Sequence, residues 1–294
     1  MSMSHKFKGV GVALVTPFTS DGKIDFSSLT KLVELQLDGG TDFLVVQGTT
    51  GESPVLSQKE KMEVLHHVME VNNKKLPVVY GLGGNHTADI CSKLGTLPQG
   101  VDGLLSVSPY YNKPLQRGIV AHYKEVAAHT DLPIILYNVP GRTSSNVSTE
   151  TTLELAEVDN IVAMKEASGD FDQIMQIVKY KPDNFTVLSG DDAITLPLIS
   201  VGVEGVISVV ANALPERFSN MVHSGISADF ATANQEHYDL LEITKLMFAE
   251  GNPGGVKESL VYRNICSNHM RMPLVPVSDD LRSKINDQMK VLMG

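Results

Sequence analysis

The chain reads as an α/β protein, a (β/α)8 TIM barrel followed by a C-terminal helical appendage. Three observations predict this: eight short apolar, β-branched segments, stretches of helical length between most of them, and a strand signal that stops after Ser224-Gly225. Strands alternating with helices imply a parallel sheet, and eight units over roughly 220 residues suit a closed barrel better than an open sheet.

In order, the strands are expected at Val10 to Val15, Phe43 to Gln47, Val78 to Gly81, Gly103 to Val107, Ile134 to Asn138, Ile161 to Lys165, Thr186 to Ser189 and Val206 to Val209. Each runs into Gly, Pro, Thr or Asp punctuation. Between them Phe26 to Asp38, Gln58 to Val71, Gly118 to His129 and Thr149 to Glu157 carry apolar residues at three- and four-residue spacing, the helical period. The first strand leads into Thr16-Pro17-Phe18, without the glycines a dinucleotide pyrophosphate needs, which argues against a Rossmann fold. Asp229 to Ala249, Pro253 to Cys266 and Asp279 to Met293 read as three further helices. The expected division is therefore a catalytic barrel over residues 1–225 and a helical domain over 226–294, packed together because no low-complexity linker separates them.

With 42% hydrophobic and 20% charged residues among 294, the composition is that of a soluble globular protein. A net charge of −10 argues against a general nucleic-acid binder but leaves room for a small anionic substrate held by a local arginine. Cys91 and Cys266 form no CxxC or zinc pattern and are expected as reduced thiols. The first eight residues hold no apolar signal core, and no run of about 18 apolar residues occurs, so a cytoplasmic location without membrane contact is expected. In that compartment the Asn-x-Ser/Thr triplets at Asn85, Asn146 and Asn184 carry no glycosylation meaning.

Reacting groups in such barrels sit at the C-terminal ends of the strands. The polar residues there are Thr16, Thr49, Thr50, Tyr110, Tyr111, Tyr137, Arg142 and Lys165, with no histidine although the chain has nine. His66-His67 lacks an i,i+4 partner for zinc, so no metal is expected. Asp191-Asp192 reads as a helix N-cap rather than a Mg²⁺ site, because adjacent strand-end carboxylates point apart.

Each candidate has two readings. Lys165, at the end of a buried strand, either pairs with a carboxylate such as Glu166 or serves as an amine nucleophile, a role that burial favours by disfavouring the ammonium. Gly48-Thr49-Thr50-Gly51-Glu52 is a capped turn or an anion cradle. Tyr137 is a half-buried aromatic or a proton carrier, and Arg142 a solvated charge or a carboxylate fork aimed by Pro140-Gly141. Taken together, an amine, phenol and hydroxyl proton carriers, and carboxylate donors suggest covalent chemistry on a keto acid without a cofactor.

GTTGE at 48–52, SPYYNKP at 108–114, YNVPGRT at 137–143, VAMKEASGD at 162–170, LSGDD at 188–192 and GVISV at 205–209 resemble, in order and spacing, the dihydrodipicolinate (4-hydroxy-tetrahydrodipicolinate) synthase family of lyases. That family lies within the N-acetylneuraminate lyase group of class I aldolases. The resemblance implies that Lys165 forms an imine with pyruvate, then an enamine that attacks L-aspartate 4-semialdehyde, in diaminopimelate and lysine biosynthesis. It also implies that Tyr137 moves protons and that Thr49 and Tyr111 complete a relay, Tyr111 reaching into a neighbouring subunit. Thr50, Gly190 and Ile207 would hold pyruvate, and Arg142 the semialdehyde carboxylate. A homotetramer built as a dimer of dimers is implied as well.

Three alternatives bound this reading. A sugar-acid aldolase of the same group would share the lysine but generally not the Pro-Gly-Arg-Thr turn. A non-catalytic keto-acid sensor would need the pocket without the nucleophile, and a phosphosugar enzyme would need a glycine-rich cradle where Ser208 to Asn212 has none. Two departures from the family pattern stand out. Gly254-Gly255 replaces a bulkier residue and a proline, implying a more mobile appendage loop. In the lysine effector site of some members, Asn85 and Tyr110 match and Asp89 is a shorter carboxylate, but Lys61 replaces a histidine, so a cationic effector should be repelled.

Overall fold

The computed structural model describes residues 6–294. Eight parallel strands close into a barrel in sequence order, β1 to β8. They span Gly9–Ala13, Phe43–Val46, Val78–Gly81, Gly103–Val107, Ile134–Asn138, Ile161–Glu166, Thr186–Ser189 and Gly205–Ser208. The surrounding helices are α1 (Phe26–Asp38), α2 (Gln58–Asn72), α3 (Thr87–Leu94), α4 (Gln116–Ala128), the short α5 (Pro140–Thr143), α6 (Thr149–Ala156), α7 (Phe171–Tyr180), α8 (Thr195–Ser200) and α9 (Pro215–Ile226). Then follow α10 (Phe230–Phe248), α11 (Gly254–Tyr262) and α12 (Asp279–Met293).

Period-two alternation sorts the strand side chains into two cores. Val45, Val79, Leu105, Ile135, Ala163, Leu188 and Ile207 fill the barrel interior, and the edge-to-face pair Phe7–Phe43 packs with them. Their neighbours Leu44, Val46, Val78, Tyr80, Leu104, Leu136, Met164, Val187 and Val206 point outward against the helices. Because both faces are covered, the strands read as continuous apolar runs.

Helix starts follow side-chain chemistry. Ser57 and Glu60 form a reciprocal capping box on α2, while Asp25, Ser148, Asp170, Asp229 and Ser278 each accept an amide of the first turn. Each such cap is worth about 1 kcal/mol. Two ends fall short of expectation by more than one residue. β1 stops at Ala13 rather than Val15, because the Val15 amide donates to the Asn212 side chain instead of a strand. α11 stops at Tyr262 rather than Cys266, where Asn264 turns to a left-handed φ of 58°.

Gly254 and Gly255 are buried in the first turn of α11. A Cβ on Gly255 would lie 2.5 Å from the Met247 carbonyl oxygen, so the missing side chain lets the backbones of α10 and α11 meet. No helix among the described residues is long and apolar enough to cross a membrane.

Candidate active site

Lys165 sits on β6, opposite Tyr137 of β5 in the parallel register, and both side chains face the barrel interior. Lys165 is 5% exposed, and its Nζ lies 4.5 Å from the centroid of the Tyr137 ring. Among the described residues the ammonium has no hydrogen bond or ion-pair partner.

The carboxylate next in sequence does not supply one. Glu166 points to the other face of β6, where it accepts from Asn138 Nδ2 (3.1 Å), the Ser168 amide (2.7 Å) and Gln173 Nε2 (3.0 Å). Burial nevertheless pushes its carboxyl above the usual range. The structural reading of Lys165 as the partner of Glu166 is thereby set aside.

A cavity of about 630 Å³ opens over Lys165. Thr49, Thr50, Tyr137, Arg142, Lys165 and Gly190 all line it. The turn that carries the two threonines is braced from three sides. Thr16 Oγ1 donates to the Gly51 carbonyl (2.7 Å), Asn252 Nδ2 donates to Thr50 Oγ1 (2.9 Å), and Glu52 enters a fully buried ion pair with Lys257 (2.5 Å). Thr49 is exposed to the cavity, while Thr50 is buried.

Arg142 lies in the single turn of α5, whose Pro140 opens it and whose Thr143 hydroxyl locks it by donating to the Ser145 carbonyl (2.7 Å). The guanidinium is exposed and makes no ion pair among the described residues, so its fork is free to take a carboxylate. Gly190 contributes space. Its amide already donates to the Glu166 carbonyl (2.7 Å), and an added Cβ would stand 3.0 Å from Lys165 Cε and 2.6 Å from Ala167 Cβ.

Two candidates lie off this wall. Ile207 is buried in β8 beside Gly11 of β1, and Tyr111, 88% exposed, projects away from the barrel with φ at 70°. Asp191 caps the turn that follows it by accepting the Ala193 amide, and Asp192 is buried against the Ser208 hydroxyl and the Val209 amide. Burial pushes Asp192 up to about 6, although hydrogen bonds and the nearby Lys165 charge pull the other way. Among the described residues no three His, Cys, Asp or Glu side chains converge as a metal site would require.

Sequence reasoning missed the contribution of the appendage. Thr244, Lys245, Phe248 and Asn252, from α10 and the loop after it, complete the cavity wall. Nothing local marks them; only the docking of α10 over the strand ends brings them there.

The four effector-site candidates lie near one another without sharing one surface. Asn85 Nδ2 donates to the Tyr110 carbonyl (3.1 Å), and Asp89 pairs with Lys93 (2.5 Å). Lys61 and Tyr110 line a second cavity whose wall excludes Asn85 and Asp89.

The chain resembles known proteins along almost its whole length. A family model described as the dihydrodipicolinate synthetase family matches residues 6–292. A 4-hydroxy-tetrahydrodipicolinate synthase of Parabacteroides distasonis is 47% identical over 287 residues, covering 97% of each chain. One from Cytophaga hutchinsonii is 46% identical over 282 residues, covering 96% of this chain and 95% of the relative. The crystal structure of dihydrodipicolinate synthase from Aquifex aeolicus superimposes with a TM-score of 0.94 at 40% identity, over 98% of both chains.

Proposed function

The chain belongs to the dihydrodipicolinate synthetase family, and from that premise we propose that it works as a 4-hydroxy-tetrahydrodipicolinate synthase, a lyase of lysine and diaminopimelate biosynthesis, through Lys165. The observation that carries the assignment of the nucleophile is the buried, unpartnered Lys165 amine at the floor of a cavity, with the Tyr137 ring 4.5 Å away.

The unprotonated Lys165 amine attacks the keto carbon of pyruvate, and loss of water leaves an imine. Removal of a methyl proton turns the imine into an enamine, whose carbon attacks the aldehyde of L-aspartate 4-semialdehyde. Each step moves a proton. With no histidine on the cavity wall, Tyr137 is the carrier we assign, with Thr49 beside it. Thr50, presented by the braced turn, holds the pyruvate carboxylate together with the backbone at Ile207, and Gly190 leaves room for pyruvate beside Lys165. Arg142 takes the semialdehyde carboxylate as a bidentate fork. Tyr111, projecting away from its own barrel, completes the relay in a neighbouring subunit of a homotetramer arranged as a dimer of dimers. This reading keeps residues 1–225 as the catalytic barrel and 226–294 as the helical domain, in a cytoplasmic enzyme.

Borohydride reduction in the presence of pyruvate tests the chemistry, and intact mass followed by peptide mapping reads it. One reduced pyruvate per chain, on Lys165, is expected. An absent adduct would sink the imine mechanism, and turnover of N-acetylneuraminate without condensation of pyruvate and the semialdehyde would move the substrate assignment to the sugar-acid aldolases. The half-buried Lys61 ammonium, set near the Asn85, Asp89 and Tyr110 cluster, further makes inhibition by L-lysine weak or absent. Strong inhibition at micromolar L-lysine would overturn that expectation.

A further inference from the structure

Behind the wall that carries Tyr137 and Lys165, β5 and β6 are joined a second time through side chains. The next pair in the ladder, Asn138 of β5 and Glu166 of β6, falls on the face turned away from the cavity, and both residues are buried.

Asn138 uses both ends of its amide. Its Nδ2 donates to Glu166 Oε2 (3.1 Å) and to Asn146 Oδ1 (2.7 Å), and its Oδ1 accepts the Val147 amide (3.0 Å). The chain therefore leaves β5 at Asn138, makes the single turn of α5, and is fastened at Asn146 and Val147 to the residue it left from. Arg142 lies inside that closed excursion. Gln173 of α7 reinforces the clasp. Its Nε2 donates to Glu166 Oε2 (3.0 Å) and to the Val147 carbonyl (3.3 Å), while its Oε1 accepts from Asn146 Nδ2 (2.7 Å).

Two features direct this clasp toward Arg142. Glu166 meets donors: Asn138, the Ser168 amide and Gln173 all give it hydrogens, so an amide in its place would set one N–H against another. Arg142 makes no ion pair among the described residues, so the path of its loop is what aims it. Tyr137 and Lys165, by contrast, are held in the strand ladder itself. Loosening the clasp reaches Arg142 before it reaches the nucleophile or its phenol.

We propose that Asn138, pinned by Glu166, is a positioning residue for the second substrate: it sets the place of Arg142, and with it the grip on the semialdehyde carboxylate, without taking part in imine formation. This role deepens the synthase reading and rests on it.

Steady-state kinetics in both substrates, beside borohydride trapping with pyruvate, tests it. In Asn138→Ala the KM for the semialdehyde should rise about tenfold, as for loss of one or two hydrogen bonds, while the KM for pyruvate and the extent of trapping stay within about twofold. Arg142→Gln supplies the second arm. Because Asn138 acts through Arg142, the two substitutions together should cost no more than Arg142→Gln alone, whereas independent sites would multiply their effects. Glu166→Gln should reproduce Asn138→Ala. Asn146→Ala, at an exposed position, removes the clasp's outer bond and should raise the same KM by roughly a few-fold. Equal rises in both KM values, loss of trapping in folded Asn138→Ala, multiplied effects in the double variant, or an unchanged semialdehyde KM in Asn146→Ala would each overturn the proposal while leaving the function of the native chain intact. Failure of the native chain to condense the two substrates would instead remove that function and this role together.

Discussion

Lys165 and Lys257 are the two buried lysines among the described residues, and their surroundings differ in almost every respect. Lys257 is fully enclosed. Its Nζ meets Glu52 Oε1 at 2.5 Å and the His269 carbonyl at 2.8 Å, and it lies 4.5 Å from the centroid of the Phe18 ring. Burial pulls its ammonium below the usual range while Glu52 opposes the pull. Lys165 has one of these three supports, an aromatic face, and opens on a cavity. An amine provided with a carboxylate and a carbonyl is a fixed strut; an amine denied both, with space in front of it, is free to form a bond.

The strut also serves the nucleophile's cavity. Lys257 belongs to α11, and Glu52 directly follows Thr49-Thr50-Gly51, so their pair ties the appendage to the turn that presents both hydroxyls. Arg271 adds to the tie, donating from its amide to Glu52 and from its guanidinium to Glu60.

The largest expected effect comes from removing the unsupported amine. Lys165→Arg keeps a cation but cannot form the imine, and its turnover should fall on the order of 10⁴-fold or more. Borohydride with pyruvate should then leave the chain unmodified. Trapping that moved to Lys257 would break the contrast drawn between the two lysines.

Lys257→Met leaves Glu52 as a buried, uncompensated carboxylate. Its loss of stability in urea denaturation should be about 3–5 kcal/mol. Replacing both partners, Glu52→Leu with Lys257→Met, should recover most of that loss, because two charges then leave the interior together. Failure of the double variant to recover would mean that the pair defines the turn geometry and not only its own charge balance.

Asp192 sharpens the contrast from the side of the carboxylates. It is buried close enough to Lys165 to feel its charge, yet it is bonded to Ser208 and Val209 rather than to the amine. Its proton is held more tightly in the folded chain, with an acidity near 6 against an ordinary 3.8. Between those two values stability should fall as pH rises, and above about 6 the loss should be complete, because the ionised form is the disfavoured one when buried. Asp192→Asn should flatten that stretch of the stability profile, as read by urea midpoints on either side of the window.

What could be read from sequence follows from how local each signal is. The barrel was legible because every strand carries its own apolar run and punctuation, and period-two alternation alone puts Lys165 and Glu166 on opposite faces of β6. The N-cap reading of Asp191 rests on the same kind of local chemistry. By contrast, the Glu52–Lys257 pair joins residues 205 positions apart, and neither neighbourhood announces the other. The ends of β1 and α11 were misplaced for a related reason: a remote side chain, Asn212, captures one amide, and a left-handed asparagine breaks the other run. Gly254-Gly255, expected as slack in the appendage, is instead buried in the first turn of α11, where Gly255 makes the contact with α10.

The smallest expected effect isolates the other tie between appendage and turn. Asn252 Nδ2 donates to Thr50 Oγ1 at 2.9 Å, across 202 residues, and Asn252 also lines the cavity. Asn252→Ala removes a single neutral hydrogen bond, so the cost in stability should be about 1 kcal/mol, well below that of the Lys257 variant. Its signature should lie in binding. With the Thr50 hydroxyl no longer oriented, the KM for pyruvate should rise several-fold, roughly as expected for loss of one hydrogen bond, while the rate at saturating pyruvate changes little. If the turnover number fell instead and KM stayed constant, Asn252 would be acting on the bond-making step at Lys165, and the appendage would belong to the chemistry rather than only to the support of the turn.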